Sequence, residues 1–191
     1  AADMCTDDMW MGNTTQDPGE YRDLAHYTGN TYNAGNCCQN FWQYRYKVIL
    51  RCNVAIERIP GVSFENDNLK KRYIAEAKML RAFQYFDLIR NFGGIPLVMG
   101  VKLPSEVQGI QRSSIADSYA VVEQDLLDAI NDLPKRSEYS SKDLGRATKG
   151  ASQGLLAKVY LYQEKYEAAE KVLEELICRG EYAGTSCEYD L

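Results

Sequence analysis

The sequence contains one histidine among its 191 residues. A metal site built from several imidazoles, or a catalytic triad that depends on histidine, is therefore not expected. The six cysteines form no C-x-x-C pair, so the spacing typical of zinc and iron–sulfur sites is missing as well. These absences predict a chain without a metal ion or other cofactor.

Long apolar runs and an excess of positive charge are also missing. No run of about 18 apolar residues occurs, so no helix is expected to span a bilayer. Lys and Arg total 22 and Asp and Glu total 27, which gives a net charge of −5. A mildly acidic chain has no basic surface for a phosphate backbone, so nucleic acid is not an expected partner.

The cysteines allow two interpretations. A chain of this length can form its own core, so buried free thiols are the simpler one. In an oxidising compartment, a bridge between Cys178 and Cys187 is favoured, because these two residues flank a turn-rich stretch.

Apolar residues recur at spacings of three and four, which predicts an all-α fold with about five main helices. The predicted helices cover residues 39–59, 69–91, 115–133, 149–163 and 166–178. Asn66, Ser114 and Thr148 stand at positions suited to N-caps, while Pro60 and Pro134 end helices. No convincing long strand is visible.

The last two predicted helices have the residue spacing of a tetratricopeptide repeat. Ala157 and Ala169 fall where two antiparallel helices would touch, because only small side chains allow that approach. A weaker copy pairs the second helix with the third across a long insertion. We therefore expect tetratricopeptide-like hairpins that carry long loop insertions.

A stretch rich in tyrosine, asparagine and glycine, residues 27–36, precedes the first long helix. Tyr27 and Tyr32 can stack on sugar rings, and Asn30 and Asn33 can pair with vicinal hydroxyls. These four residues are the predicted ligand contacts, with Trp10 as an outside candidate. The alternative is a turn-rich loop whose tyrosines rest on the body of the domain. Tyrosines of the second and fourth helices are assigned by their spacing to packing.

Two segments resemble signature stretches of the SusD/RagB family. They are YIAEAKMLRAFQYFDLIRNFGGIPLV at residues 73–98 and GRATKGASQGLLAKVYLY at residues 145–162. The Gly-Glu-Tyr at residues 180–182 matches too, and the resemblance covers roughly residues 39–182.

Membership of this family implies a surface-exposed lipoprotein of a Gram-negative outer membrane that binds oligosaccharides or, in some branches, peptides. Such proteins deliver nutrient to a SusC-like TonB-dependent transporter and are not enzymes. Their helical repeats face the transporter, and loops supply most ligand contacts. The membrane is reached only through a lipid anchor, whose cysteine would lie upstream of Ala1 and is not Cys5.

The resemblance also predicts the domain organisation. We expect a loop-rich segment at residues 1–38, a SusD-like helical domain at 39–182, and the start of a further C-terminal part at 183–191. Two other interpretations stay open. The helices could form a scaffold that binds proteins or peptides without binding sugar. A glycoside hydrolase would instead need two carboxylates flanking one pocket.

Overall fold

The computed structural model describes residues 35–178 of the chain. Within this range there are six helices: α1 (Gly35–Arg58), α2 (Asp67–Phe92), α3 (Pro104–Val107), α4 (Ile115–Asp132), α5 (Lys149–Tyr162) and α6 (Tyr166–Ile177). Short 3₁₀ turns cover Ile59–Gly61, Arg136–Glu138 and Ser141–Asp143. No strand occurs between residues 35 and 178, so the predicted all-α fold is confirmed.

The chain divides into two compact units, Ala1–Tyr46 and Lys47–Leu191. The described part of the first unit is the beginning of α1. There the rings of Trp42 and Tyr46 lie 4.9 Å apart, and the Arg45 guanidinium lies 4.6 Å from the centroid of the Phe41 ring. Aromatic side chains at this spacing cover one another along the helix surface.

The three predicted N-caps are confirmed. The Asn66 side chain accepts from the backbone N–H of Asn68 at 2.9 Å, which begins α2. Ser114 Oγ accepts from a backbone N–H at the start of α4 at 3.0 Å, and Thr148 Oγ1 accepts from one at the start of α5 at 3.1 Å. Each cap satisfies one of the backbone donors that a helix start leaves without a partner.

Two boundaries differ from the sequence-based expectation. Helix α1 begins at Gly35, four residues before Gln39, so Gly35 and Asn36 belong to the helix and not to the preceding loop. The short helix α3 lies in the insertion, where no period was detectable. Helix starts without a clear capping signal and single-turn helices both escape periodicity, which needs several turns to emerge.

Helix α2 ends at Phe92, one residue past the predicted end, and is followed by the pair Gly93 and Gly94. Gly93 adopts a positive φ of 71° and donates to the carbonyl of Ile89 at 2.9 Å. A methyl group on Gly94 would lie 2.1 Å from the carbonyl oxygen of Ser113, so only glycine allows these two backbones to approach. The insertion therefore returns to α4 in close contact with the end of α2.

The helices of the second unit pack in sequence. Helix α2 runs along α4, α4 along α5, and α5 along α6. Ala157 and Ala169 are buried, as the repeat assignment predicted, and so are Ala82 and Ala129 in the weaker copy. Large side chains such as Phe86 fill the remaining space, and each contributes about 1.5–3 kcal/mol by leaving water.

Candidate functional site

The sequence-predicted ligand contacts all lie outside the described residues. They are Trp10, Tyr27, Asn30, Tyr32 and Asn33. Their role in binding stays a prediction. The described residues nevertheless contain three arrangements of polar and aromatic groups: an exposed tyrosine beside an ion pair, a polar groove, and a buried charged network.

Tyr162, the last residue of α5, is 51% exposed. The assignment of the tyrosines of this helix to packing is therefore wrong for Tyr162. Its ring meets Phe86 edge to face, with centroids 5.2 Å apart and planes at 85°. Position at the helix end explains the exposure, because the chain turns away there and no following turn of helix covers the ring. Tyr85 of α2, by contrast, is fully buried, as its spacing predicted.

Arg90 joins the Tyr162 ring to a carboxylate. Its guanidinium pairs with Asp87, one turn earlier on α2, and lies 5.0 Å from the Phe86 ring centroid and 5.7 Å from that of Tyr162. Burial lowers the pKa of Arg90, but hydrogen bonds to Asp87 and to the Tyr162 hydroxyl outweigh this effect and raise it. We call Tyr162, Arg90 and Asp87 the aromatic platform.

The turn that follows Tyr162 is held by one carboxylate of α4. Glu123 Oε1 accepts from Gln163 Nε2 at 2.7 Å and from Lys165 Nζ at 2.6 Å. Glu164 adopts a φ of 59°, which reverses the chain direction as the predicted break requires. The backbone that carries the exposed ring is therefore anchored on both sides of the turn.

A second arrangement is a polar groove of about 290 Å³ where α2 begins and α4 ends. Its walls combine amides, carboxylates and a guanidinium: Asn66, Asn68, Leu69, Arg72, Asp132, Leu133, Pro134 and Glu138. Arg72 is fixed between the rings of Tyr73 and Tyr139, with its Cζ 5.3 Å from each centroid. Positively charged, negatively charged and amide side chains line the groove, and no aromatic side chain is among its lining residues.

The third arrangement is a charged pair in the core between α2 and α4. Arg81 Nε and Nη2 each donate to one oxygen of Asp125 at 2.8 Å, and Nη1 donates to Asn53 Oδ1 at 2.8 Å. Burial lowers the pKa of Arg81, but the hydrogen bond and charge of Asp125 outweigh it and raise the pKa. Burial also raises the pKa of Asp125, against the opposing effect of Arg81.

This network continues into the insertion after α2. Asn53 Nδ2 donates to the carbonyls of Val98 and Gly100 at 2.6 and 3.1 Å. The Tyr85 hydroxyl donates to the Val98 carbonyl and accepts from the Val98 N–H, both at 2.9 Å, and burial raises the pKa of Tyr85 to about 12. Glu57 Oε1 accepts from the N–H of Val101 at 2.8 Å. These bonds fix residues 98–101, so the network positions backbone, and its outer members Glu57 and Val101 are exposed.

The sequence predicts neither a metal site nor a membrane-spanning helix, and the structure can be compared with these expectations for residues 35–178 alone. Among residues 35–178, no three His, Cys, Asp or Glu side chains converge as metal ligands would. None of the helices there is long and apolar enough to cross a membrane. Of the cysteines, Cys52 is buried and free, Cys38 is exposed and free, and Cys178 is disulfide-bonded. The predicted partner Cys187 lies outside the described residues.

Residues 4–161 match a SusD-like family described as starch-binding and associating with the outer membrane. The chain therefore belongs to the SusD-like family, as its two signature stretches predicted. SusD-like protein P38 of Formosa agariphila is 33% identical over 147 residues, which are 76% of this chain and 27% of that protein. A SusD-like protein of Bacteroides ovatus is 29% identical over 152 residues, 77% of this chain and 27% of that protein.

Solved structures agree with the assignment. A laminarin-binding SusD-like protein has a TM-score of 0.74 at 29% identity, over 94% of this chain and 38% of its own. A SusD-like carbohydrate-binding protein from Bacteroides fragilis has a TM-score of 0.66 at 30% identity, over 72% of this chain and 26% of its own. The chain thus spans about a quarter of the length of the curated relatives it matches.

Proposed function

We propose that this chain is part of a glycan-binding protein at the surface of an outer membrane, which hands its ligand to a SusC-like TonB-dependent transporter. One observation carries the proposal: nearly the whole chain shares its fold and 29% of its sequence with a laminarin-binding SusD-like protein. The family description as starch-binding supports the same class of ligand.

The described helices suit the role of a scaffold. Their contacts are made by buried alanines, by large apolar side chains and by the Arg81–Asp125 pair, and none of these groups can meet a ligand. Affinity therefore belongs to loops and helix ends, where side chains are free to contact sugar. Tyr27, Asn30, Tyr32, Asn33 and Trp10 are the proposed contacts of the N-terminal segment.

We further propose that the chain is not an enzyme. A glycoside hydrolase needs one carboxyl group to donate a proton and a second to act on the other side of the bond. Asp132 and Glu138 do line one groove, which makes them the pair to test. Glu138 is occupied locally, because its Oε2 accepts from the N–H of Lys135 at 2.7 Å and thereby closes a 3₁₀ turn.

The location and the partner of the protein are inferred from its family. The family description places its members at the outer membrane. A disulfide at Cys178 is in keeping with an oxidising compartment. We propose attachment through a lipid anchor and association with a TonB-dependent β-barrel, with the helical repeats facing that partner.

A single titration series tests ligand class and catalysis together. The chain is titrated by calorimetry with neutral and anionic oligosaccharides, and each mixture is then analysed by chromatography for shortened products. We expect binding of at least one glycan without product. Turnover that is lost in Asp132→Asn or Glu138→Gln would contradict the binding role and establish a hydrolase.

The N-terminal contacts need their own comparison. Tyr32→Ala is expected to weaken glycan binding while the melting temperature stays unchanged. Tyr44→Ala serves as the control, because Tyr44 is an exposed tyrosine on α1 outside the predicted contact stretch. Equal affinity of both variants and of wild type would remove Tyr32 from the site.

Protein association separates the glycan receptor from the scaffold interpretation. A receptor should bind its glycan as an isolated protein, whereas a scaffold would bind only a protein or peptide. Failure to bind any glycan, together with retention of a protein partner on an affinity column, would favour the scaffold.

A further inference from the structure

We propose that the connection between α4 and α5 is a strap held against α2 by an ionic latch, and that this latch sets the width of the polar groove. The strap comprises residues 135–148, and the latch is a ring of four charged side chains: Arg72, Glu76, Arg146 and Asp143. The proposal concerns a conformational device and does not depend on glycan binding. It is supported by the shape of the strap, by the closure of the ring, and by a residue that the ring shares with the groove.

The strap has the form of an Ω-loop, a compact loop whose two ends lie close together. The backbone N–H of Lys149 donates to the carbonyl of Pro134 at 3.0 Å, which joins the two ends. Ala147, beside these ends, packs against the core. Within the strap, the Tyr139 hydroxyl donates to the carbonyl of Ala147 at 2.6 Å. These contacts fix the ends and the shape of the strap, and its middle can move relative to α2 as one unit.

Alternating charges join the middle of the strap to α2. Arg146 of the strap donates from Nη1 to Glu76 Oε2 of α2 at 2.8 Å and from Nε to Asp143 Oδ1 of the strap at 2.9 Å. Arg72 of α2 approaches the other oxygen of each carboxylate, at 3.6 Å for Glu76 and 3.5 Å for Asp143. The ring is therefore closed. Because the distances to Arg72 are longer than those of ordinary hydrogen bonds, Arg146 forms the tighter half of the latch.

The same two arginines also contact aromatic rings across the boundary between strap and helix. Arg72 Cζ lies 5.3 Å from the centroid of the Tyr139 ring, and Arg146 Cζ lies 5.5 Å from that of the Tyr73 ring on α2. Both distances are typical of cation–π contacts. The side chains of Arg146 and Asp143 are 39% and 28% exposed, so dissolved ions reach the ring. Salt should therefore weaken the latch, because screening at about 1 M shortens the range of electrostatic attraction to about 3 Å.

The latch and the strap both contribute to the walls of the polar groove. Arg72 of the latch lines the groove, and so does Glu138 of the strap. A movement of the strap away from α2 would separate Glu138 from Arg72 and widen the groove. The groove of about 290 Å³ is thus the form in which the latch is closed.

Hydrogen exchange followed by mass spectrometry measures how firmly the strap is held. Arg146→Gln removes the tighter half of the latch and leaves the bond between Tyr139 and Ala147 in place. With two partly exposed ion pairs lost, the amides of residues 137–145 should exchange about 2- to 30-fold faster. Lys165→Gln is the matched control, because Lys165 pairs with Glu123 at 2.6 Å in the turn between α5 and α6. Its strap should exchange as that of wild type does.

A salt series on wild type tests the latch without any substitution. Raising NaCl from about 0.01 M to about 1 M shortens the screening length from about 30 Å to about 3 Å and should accelerate exchange in the strap. Residues 98–100 are the internal control, because uncharged side chains of Asn53 and Tyr85 hold their backbone. In Arg146→Gln the salt should have little further effect on the strap.

The side-chain amides of Asn66 and Asn68 report on the groove, which both residues line. Their signals in amide NMR spectra should shift in Arg146→Gln and stay unchanged in Lys165→Gln. Faster exchange of the strap without these shifts would overturn the link between the latch and the groove. A strap that exchanges at the wild-type rate in Arg146→Gln, or that ignores salt in wild type, would overturn the latch itself. If Arg146→Gln loses protection throughout the chain, the salt series on wild type decides.

Discussion

Asp125→Asn is expected to destabilise the chain by about 3–5 kcal/mol, because it leaves the Arg81 guanidinium in the core without its anion. The substitution preserves the shape of the side chain and removes only its charge and one acceptor. It therefore isolates the electrostatic role of the carboxylate from its packing.

The magnitude follows from the geometry of the pair. Both side chains are only 5% exposed, so water cannot replace the lost carboxylate. Two hydrogen bonds of 2.8 Å join them, one to each carboxylate oxygen, and an asparagine in the same place keeps only one of these two acceptor atoms. Its NH₂ group would instead face a second donor. A domain of this kind has a total stability of about 5–15 kcal/mol, so the expected loss is a large part of it.

Urea unfolding followed by circular dichroism measures the effect. With a slope of about 2 kcal/mol per molar, the midpoint should fall by about 1.5–2.5 M. Asp128→Asn is the matched control, because Lys78 and Asp128 join the same two helices at 2.5 Å with side chains 25% and 34% exposed. That pair is worth less than about 1 kcal/mol, so its loss should move the midpoint little.

A loss below about 1 kcal/mol for Asp125→Asn would refute the reasoning, since the guanidinium would then need no buried anion. The double variant Arg81→Met/Asp125→Leu gives an independent check. It removes both charges, so it should be more stable than the single variant. Hydrogen exchange supplies a third check, because Arg81 orients Asn53, which holds the carbonyls of Val98 and Gly100. Amides of this segment should exchange faster in Asp125→Asn.

Three further results are expected. Gly154→Ala should raise stability by about 0.5–1 kcal/mol, because an added methyl meets no atom within 4 Å and glycine weakens a helix interior. Gly94→Ala should lower stability by at least about 1 kcal/mol, since its methyl would meet a backbone oxygen at 2.1 Å; thermal melts that rank the two variants equally would contradict this. Burial alone would raise the pKa of Asp128, but hydrogen bonds from Lys78 and Gln124 outweigh it and lower the pKa. The pair therefore stabilises the fold above the ordinary carboxyl value of about 3.9, and this stabilisation is lost as pH falls through the lowered pKa. Asp128→Asn should then differ from wild type at pH 7 and match it in strong acid, and an unchanged difference would contradict the assignment.

The helices could be predicted because each carries its own local signals. Ser114 and Thr148 cap their helices as expected, and Gly93 ends α2 with a positive φ that favours glycine. The small residues Ala157 and Ala169 are buried where the repeat spacing placed them. Such signals act within a few residues of chain, which is why one sequence is sufficient to find them.

The platform could not be predicted in the same way. The period of α5 assigns Tyr162 to an apolar face, and only the end of the helix in space exposes its ring. Its partner Arg90 lies 72 positions away in the numbering, on another helix. The residue pattern within one helix does not indicate where neighbouring helices cease to pack against it. The Arg81–Asp125 pair could not be predicted either, because charged residues inside an amphipathic pattern are ordinarily assigned to the solvent-exposed face.

The structure explains why residues 73–98 resemble the signature stretch of the family. Residues 73–98 contain Arg81, Tyr85 and Gly94, and each of them holds backbone in place. Arg81 orients an amide beneath the insertion, Tyr85 binds both polar groups of Val98, and Gly94 admits a neighbouring carbonyl. Requirements of this kind concern the backbone alone, so the resemblance identifies the scaffold and does not select a ligand.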